Sequence, residues 1–220
     1  MSSMETIFYG ASAMNPARLR QGIECWGQVF YQFFGQSEAP MVVANMRRGE
    51  HDLSKPARLA SCGRPSPWVH LALLDAAGKP VPTGQPGEIC VRGDLVMKGY
   101  YKDPAKTAEA ITDGWLHTGD IGYIDNGGFL HITDRKRDMI ISGGFNVYPS
   151  EVEQVIWGHP AVQDCAVIGV PDEKWGESVK AVIELNAGQS VSAEEIIALC
   201  KEKLGSVKAP KSVDFIAQLP

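Results

Sequence analysis

"DRKRDMIISGGFNVYPSEVE" occupies residues 134–153, and its reading decides how the chain is divided. Five charged residues, Asp134, Arg135, Lys136, Arg137 and Asp138, are followed by an apolar run, a glycine pair and a helix-start pattern. Crowded charge of this kind admits three readings: a solvated loop, a basic patch for nucleic acid, or a pivot beside a bound nucleotide. The chain carries 26 acidic against 21 basic residues, and no further basic run adjoins the cluster, which argues against the basic patch. Beyond the cluster, Ser150 and Glu153 read as a capping box, Val152, Val155 and Ile156 as an apolar helical face, and Gly158 with Pro160 as the stop. "AVQDCAVIGV" (161–170) and "SVKAVIEL" (178–185) read as strands. Ser192 and Glu195 cap a second helix, stapled by Val191 and Ile196, with Lys201 and Lys203 facing its C-terminal dipole before Gly205. "SVDFI" (212–216) is a last strand, so residues from about 138 onward form a small α+β unit.

Working back toward the start, "ETIFYG" (5–10) reads as a strand and "NPARLRQGIECWG" (15–27) as a helix with Asn15 as N-cap and Pro16 at the first position. Leu19, Ile23 and Trp26 would form its apolar face. "QVFYQFFG" (28–35) completes a β-α-β unit, and residues 39–68 read as irregular. From 69 to 101 short strands, "VHLALLD" and "GEICVRG", alternate with the turn cluster "AAGKPVPTGQPG", which predicts a small β-rich subdomain. "GYIDNGGFLHI" (122–132) predicts a hairpin with Asn126-Gly127 at the turn. The five cysteines are too far apart for a Cys-x-x-Cys site or a disulfide framework; Cys90 and Cys165 read as buried apolar residues, and a reducing cytoplasm is the expected setting. No apolar run is long enough to cross a bilayer as a helix.

Six segments together resemble the adenylate-forming (AMP-binding) superfamily of acyl-CoA ligases, nonribosomal adenylation domains and luciferases. They are "YGASAM" (9–14), "FFGQSE" (33–38), "GEICVRG" (87–93), "GYYKDPAKTAEAITDGWLHTGDIG" (99–122), residues 134–153 and "GVPDEKWGESVKAVI" (169–183). Six short patterns in family order carry far more weight than any one of them. The resemblance implies an α/β fold: the C-terminal part of a large domain over 1–136, with a β-rich subdomain, followed by a small α+β cap over 137–220. It implies ATP-dependent activation of a carboxylic acid to an acyl-adenylate, then transfer to a thiol. ATP/AMP, Mg²⁺ and CoA are the implied cofactors and co-substrates. A fatty acid is the first choice of substrate and an aryl acid the second.

The same resemblance assigns residues. Asp120 matches the ribose-binding aspartate, where charged hydrogen bonds contribute roughly 1.5–3 kcal/mol each. Glu38 matches the acid that holds Mg²⁺ near the phosphates, and Ser37 stands where the family more often has threonine. Gly10, Ala11 and Ser12, with Phe34 or Gly35, should border adenine and the acyl group. Arg135 matches an arginine that reaches ribose and phosphate, a use suited to its fork of donors. Arg137 falls at the hinge, where aspartate or lysine is commoner. Gly143 and Gly144 resemble a phosphate turn by themselves but lie, by the resemblance, beside the pantetheine arm, with Trp175 as a wall. Lys208 and Lys211 would meet the nucleotide end of CoA.

The family's Ser/Thr/Gly-rich phosphate loop and its C-terminal catalytic lysine have no counterpart in these 220 residues. The expectation is that this polypeptide alone forms no adenylate. Two other functions stay open at this point: an adenylation module that loads a carrier protein, and a non-catalytic nucleotide-binding protein. Neither nucleic acid nor a transmembrane segment is expected, and a homo-oligomer is left open.

Overall fold

The computed structural model describes residues 3–12 and 14–219, so Ala13 of "YGASAM" lies outside the described residues. The chain divides into two compact units, Met1–Ile132 and Thr133–Pro220.

The first unit begins with β1 (Ile7–Gly10), α1 (Pro16–Trp26) and β2 (Phe30–Gln36), and β1 pairs with β2 in parallel. The Asn15 side chain accepts the Ala17 N–H at 2.8 Å, closing the helix start that the sequence signals. Leu19 and Ile23 bury against Phe30 and Leu59. Trp26 departs from the expected face. It is 48% exposed, overhangs the helix end and lies against the Phe30 ring.

The span read as irregular is a correction: Ala39–Met46 is a strand, β3, paired antiparallel with β2. Its alternation is broken by a bulge, because Gln36 faces Ala39 while Phe34 faces Ala44. Residues 40–43 therefore oppose the single residue Gly35, and period-two reading fails there. A short helix α2 (Pro56–Leu59) and strand β4 (Arg64–Pro65) finish a sheet ordered β1-β2-β3-β4.

The second sheet comprises β5 (His70–Leu74), β6 (Gly87–Arg92), β7 (Ile111–Thr112), β8 (Trp115–Ile124) and β9 (Leu130–Arg135), with helix α3 (Pro104–Ala110) before β7. It is ordered β5-β6-β8-β7, with β9 also on β8. In the β8–β9 turn, Asn126 and Gly127 take the middle positions, but the left-handed residue is Gly128, at φ 77°. Asp125 Oδ1 accepts the Gly127 and Phe129 N–H groups and shapes this loop.

His51 ties β1 to the segment after β3. It is fully buried, its Nδ1 lies 2.9 Å from the Arg47 carbonyl, and its Nε2 lies 2.9 Å from the Tyr9 hydroxyl. The carbonyl requires a proton on Nδ1, so Nε2 accepts from Tyr9. Burial lowers the His51 pKa below its ordinary 6.5. The unfolded chain therefore takes a proton that the folded one refuses. The resulting stability is present above pH 6.5 and is lost as pH falls through the depressed folded value. In melts between pH 7.5 and pH 5, taken as a range of about 2.5 units around that pKa, His51→Gln should flatten part of the wild-type decline. Identical declines would show that His51 does not carry it.

The second unit holds β10 (Ile140–Ser142), β11 (Phe145–Val147), α4 (Pro149–Trp157), β12 (Val162–Asp172), β13 (Gly176–Leu185), α5 (Ala193–Leu204) and β14 (Ser212–Ile216). The sheet runs β11-β10-β13-β12, with β14 parallel to β13. Val152 and Ile156 of α4 and Ile196 and Cys200 of α5 bury against Val179, Ala181 and Ile183. Ser192 caps α5 through the Glu195 N–H at 3.1 Å, as its sequence predicts.

The capping box expected at Ser150 and Glu153 does not form. Pro149 shifts the helix start so that Tyr148 is the N-cap and Ser150 is already inside. The cap comes from the preceding strand instead. Asp134 Oδ2 accepts the Ser150 N–H at 2.9 Å, and the Ser150 hydroxyl donates to the Thr133 carbonyl. Glu153 accepts the Val167 N–H at 2.9 Å and so braces α4 on β12.

Candidate functional site

A cavity of about 440 Å³ lies on the first sheet where the ends of β1 and β2 meet the β3 bulge. β1 and its exit supply Phe8, Tyr9, Gly10 and Ala11; β2 supplies Phe33, Gly35 and Gln36; the bulge supplies Pro40 and Met41. The glycines are there because backbones approach closely. A Cβ on Gly10 would lie 2.3 Å from the Phe33 carbonyl oxygen, and one on Gly35 would lie 2.4 Å from the Met41 nitrogen. Ala11 and Met41 both have left-handed backbones, φ 67° and 57°, so two non-glycine residues in a disfavoured conformation border one cavity. Among the described residues no charged side chain lines it.

Gly10, Ala11 and Gly35, expected at the site, are thus brought together. Phe34 is not on the cavity wall: strand alternation turns its side chain into the core with Ala39 and Val43, and it is 9% exposed. Phe33 stands on the wall instead, its ring 5.3 Å from that of Phe8 and 4.9 Å from that of Tyr31. The sequence signal was available, since neighbours in a strand face opposite ways. Ser12 is exposed and off the wall.

Ser37 and Glu38 form the tight turn between β2 and β3. The Glu38 carbonyl accepts the Met97 N–H at 2.8 Å, and its carboxylate Oε1 accepts the Tyr100 hydroxyl at 2.6 Å. That short bond to an anion pushes the Tyr100 pKa up to about 12. Among the described residues no hydrogen bond reaches Glu38 Oε2. A hard carboxylate oxygen beside an exposed serine hydroxyl is a donor set that suits Mg²⁺, which retains several waters.

Asp120 sits in a second bulge. Glu88 faces Ile121 while Cys90 faces His117, so Thr118, Gly119 and Asp120 oppose Ile89 alone. Thr118 Oγ1 donates to the Ile89 carbonyl at 2.7 Å and accepts the Asp120 N–H at 3.1 Å, while Gly119 takes φ 73°. Asp120 is 8% exposed. It lies inside β8. On the facing strand Glu88 Oε2 lies 3.0 Å from His117 Nδ1, with Cys90 Sγ at 3.5 Å from the same nitrogen. This cross-strand group clamps β6 to β8 next to the bulge. Its members come from two segments, so no sequence spacing announced it.

In the second unit Arg135 and Arg137 are both exposed, and Arg137 Nε lies 3.4 Å from Asp138 Oδ1. Asp134, given no role by the sequence, caps α4; its burial pushes the carboxyl pKa upward against two backbone hydrogen bonds. Gly143 and Gly144 form the β10–β11 turn with φ 58° and 81°. A strand separates them from α4, so they do not open a helix and cannot act as a helix-end phosphate cradle. Gly143 and Trp175 do meet. The Gly143 N–H donates to the Trp175 carbonyl at 2.8 Å, and a Cβ on Gly143 would lie 2.5 Å from the indole. Lys208 pairs with Glu151 at 2.6 Å, and Lys211 Nζ donates to the Ser206 carbonyl.

Residues 1–101 match the AMP-binding enzyme family, and residues 151–220 match the AMP-binding enzyme C-terminal domain. The chain belongs to the AMP-binding enzymes. Among relatives of this family, a medium/long-chain-fatty-acid–CoA ligase of Mycobacterium tuberculosis is 51% identical over the whole chain, which covers 39% of that protein. A feruloyl-CoA synthase of an Amycolatopsis species is 43% identical, again over the whole chain and 44% of the relative. The chain therefore spans about two fifths of the length of these AMP-binding relatives. Among solved structures, the amide bond synthetase McbA of Marinactinospora thermotolerans superposes with TM-score 0.94 at 37% identity, over the whole chain and 44% of that protein. An o-succinylbenzoate CoA synthetase of Bacillus subtilis, in complex with its acyl-adenylate intermediate, gives TM-score 0.88 at 34% identity, covering 44% of that chain. The mixed α/β architecture is that of the AMP-binding fold.

Proposed function

We propose that the protein activates a fatty acid with ATP to an acyl-adenylate and passes the acyl group to CoA, releasing AMP and pyrophosphate. The observation that carries this reading is the uncharged cavity between Gly10, Ala11 and Gly35, which ends two residues from the Glu38 carboxylate. Apolar and aromatic walls suit an alkyl or aryl chain and disfavour a second carboxylate, which would be desolvated without a partner. The fatty-acid ligase at 51% identity supports the same choice.

Within this reading Asp120 holds the ribose, Glu38 and Ser37 face the phosphates, and Arg135 reaches the nucleotide. Glu38, with Ser37 beside it, would hold Mg²⁺, which would supply charge neutralisation at the phosphates. Residues 1–136 form the nucleotide-holding part and 137–220 the cap, with Arg137 as the pivot between half-reactions. Gly143, Gly144 and Trp175 border the thiol arm, and Lys208 and Lys211 meet the nucleotide end of CoA. The cytoplasm is the proposed setting, and a homo-oligomer is compatible with it.

These 220 residues alone are expected to form no adenylate. The test is therefore AMP release with ATP, Mg²⁺ and CoA, across straight-chain acids, aryl acids and dicarboxylates, by a chimera in which they replace the matching segment of the feruloyl-CoA synthase relative. Straight-chain acids are expected to give the highest kcat/KM; a preference for dicarboxylates would overturn the substrate assignment. Gly143→Ala separates the two steps. It should leave acid-dependent ATP–pyrophosphate exchange intact and slow thioester formation about tenfold, by pressing the indole toward the thiol path. Equal loss in both steps would remove Gly143 and Trp175 from the thiol path.

A further inference from the structure

Glu38 is the carboxylate assigned to the metal, and one of its two oxygens is already engaged. The Tyr100 hydroxyl reaches Oε1 at 2.6 Å, whereas Oε2 accepts no hydrogen bond from a described residue. Tyr100 is itself braced. Its backbone N–H donates to Thr107 Oγ1 at 2.9 Å, and Lys106 Nζ lies 4.6 Å from the centre of its ring. Thr107 Oγ1 in turn donates to the Asp103 carbonyl at 2.8 Å, at the start of α3. On the other side, the Met97 N–H holds the Glu38 carbonyl at 2.8 Å. The segment 97–107 therefore grips Glu38 at its backbone and at one carboxylate oxygen, and it is anchored to a helix start rather than left to swing.

Divalent cations differ in what they ask of a carboxylate. Mg²⁺ is small, octahedral and takes one oxygen per carboxylate while keeping several waters; Ca²⁺ accepts longer bonds and often takes both oxygens of one carboxylate. A phenol at 2.6 Å from Oε1 crowds the edge along which an ion would chelate both oxygens, and leaves Oε2 for a single bond.

We propose that Tyr100 is a positioning residue that sets which cation Glu38 accepts, by holding Oε1 and so favouring one-oxygen binding of Mg²⁺ over two-oxygen binding of Ca²⁺. This rests on the assignment of Glu38 as the metal carboxylate. The hydrogen bond from a tyrosine of the segment before α3 to the β2–β3 turn thus becomes a selectivity device.

The test is ATP binding to the protein by calorimetry with saturating Mg²⁺ or saturating Ca²⁺, in wild type, Tyr100→Phe and Glu38→Gln. Tyr100→Phe keeps the ring under Lys106 and the backbone bond to Thr107 and loses only the hydroxyl. The Mg²⁺-to-Ca²⁺ affinity ratio should fall on the order of tenfold in Tyr100→Phe, through tighter binding in Ca²⁺. A purely structural role would weaken both arms together and leave the ratio unchanged, which overturns the proposal. Glu38→Gln is expected to reduce metal-dependent binding with either ion. If it changes neither, the assignment of Glu38 fails; if it reduces binding while the Tyr100→Phe ratio holds at the wild-type value, only the role of Tyr100 fails.

Discussion

Asp120→Ala is expected to weaken AMP binding on the order of a hundredfold, from about 3 kcal/mol of lost ribose contacts. A carboxylate offers two acceptor oxygens and can take both ribose hydroxyls, with the strength that charge gives such bonds. The bulge makes this geometry available. With Thr118, Gly119 and Asp120 opposing Ile89, the strand is re-aimed just where the carboxylate is carried. Gly119 at φ 73° and the Thr118–Ile89 hydrogen bond belong to the bulge backbone, which the substitution leaves in place. Asp120→Asn keeps one acceptor and should lose about tenfold. Calorimetry with AMP, paired with thermal melts, separates binding from stability. Wild-type affinity in Asp120→Ala would make Asp120 a bulge residue and nothing more, and equal loss of melting temperature and affinity would point to the fold.

Much of this fold was legible because its helices announce themselves through local chemistry. Asn15 before Pro16, and Ser192 before Glu195, are bonds between near neighbours, and both occur as read. The misreadings share another cause. β3 was hidden by a bulge opposite Gly35, and the cap on α4 comes from Asp134, sixteen positions upstream. Phe33 and Phe34 are chemically equal in a sequence, and only the direction of the pleat decides which one meets the cavity. The Glu88–His117–Cys90 group and the Tyr100–Glu38 bond join segments tens of residues apart, so no spacing rule reaches them. Motif resemblance named the candidate residues, and tertiary register determined which of them face the cavity.

The largest stability loss is expected at Gly63, a residue no motif includes. A Cβ there would lie 1.9 Å from the Asn45 carbonyl oxygen and 2.3 Å from the Met46 nitrogen, both backbone atoms of β3 that cannot rotate away. The position also takes φ 86°, where any side chain is strained. Its carbonyl accepts the Leu130 N–H at 2.7 Å, and the Cys62 N–H donates back to the Leu130 carbonyl at 2.8 Å. The segment thus pins β3, which carries Pro40 and Met41, to the strand that follows the Asp120-bearing β8. Gly63→Ala must move one of these backbones, and about 3 kcal/mol or more should be lost, a fall in melting temperature on the order of 10 °C. Gly84→Ala is the control. It has a similar φ of 82° but open space around the missing Cβ, so it should lose only the backbone term of about 1 kcal/mol. A like shift for the two variants would show that β3 yields freely at Asn45. A much larger shift for Gly63→Ala, with the cavity's ligand affinity lost before global melting, would show that the close crossing at Gly63 holds the cavity wall in register with Asp120.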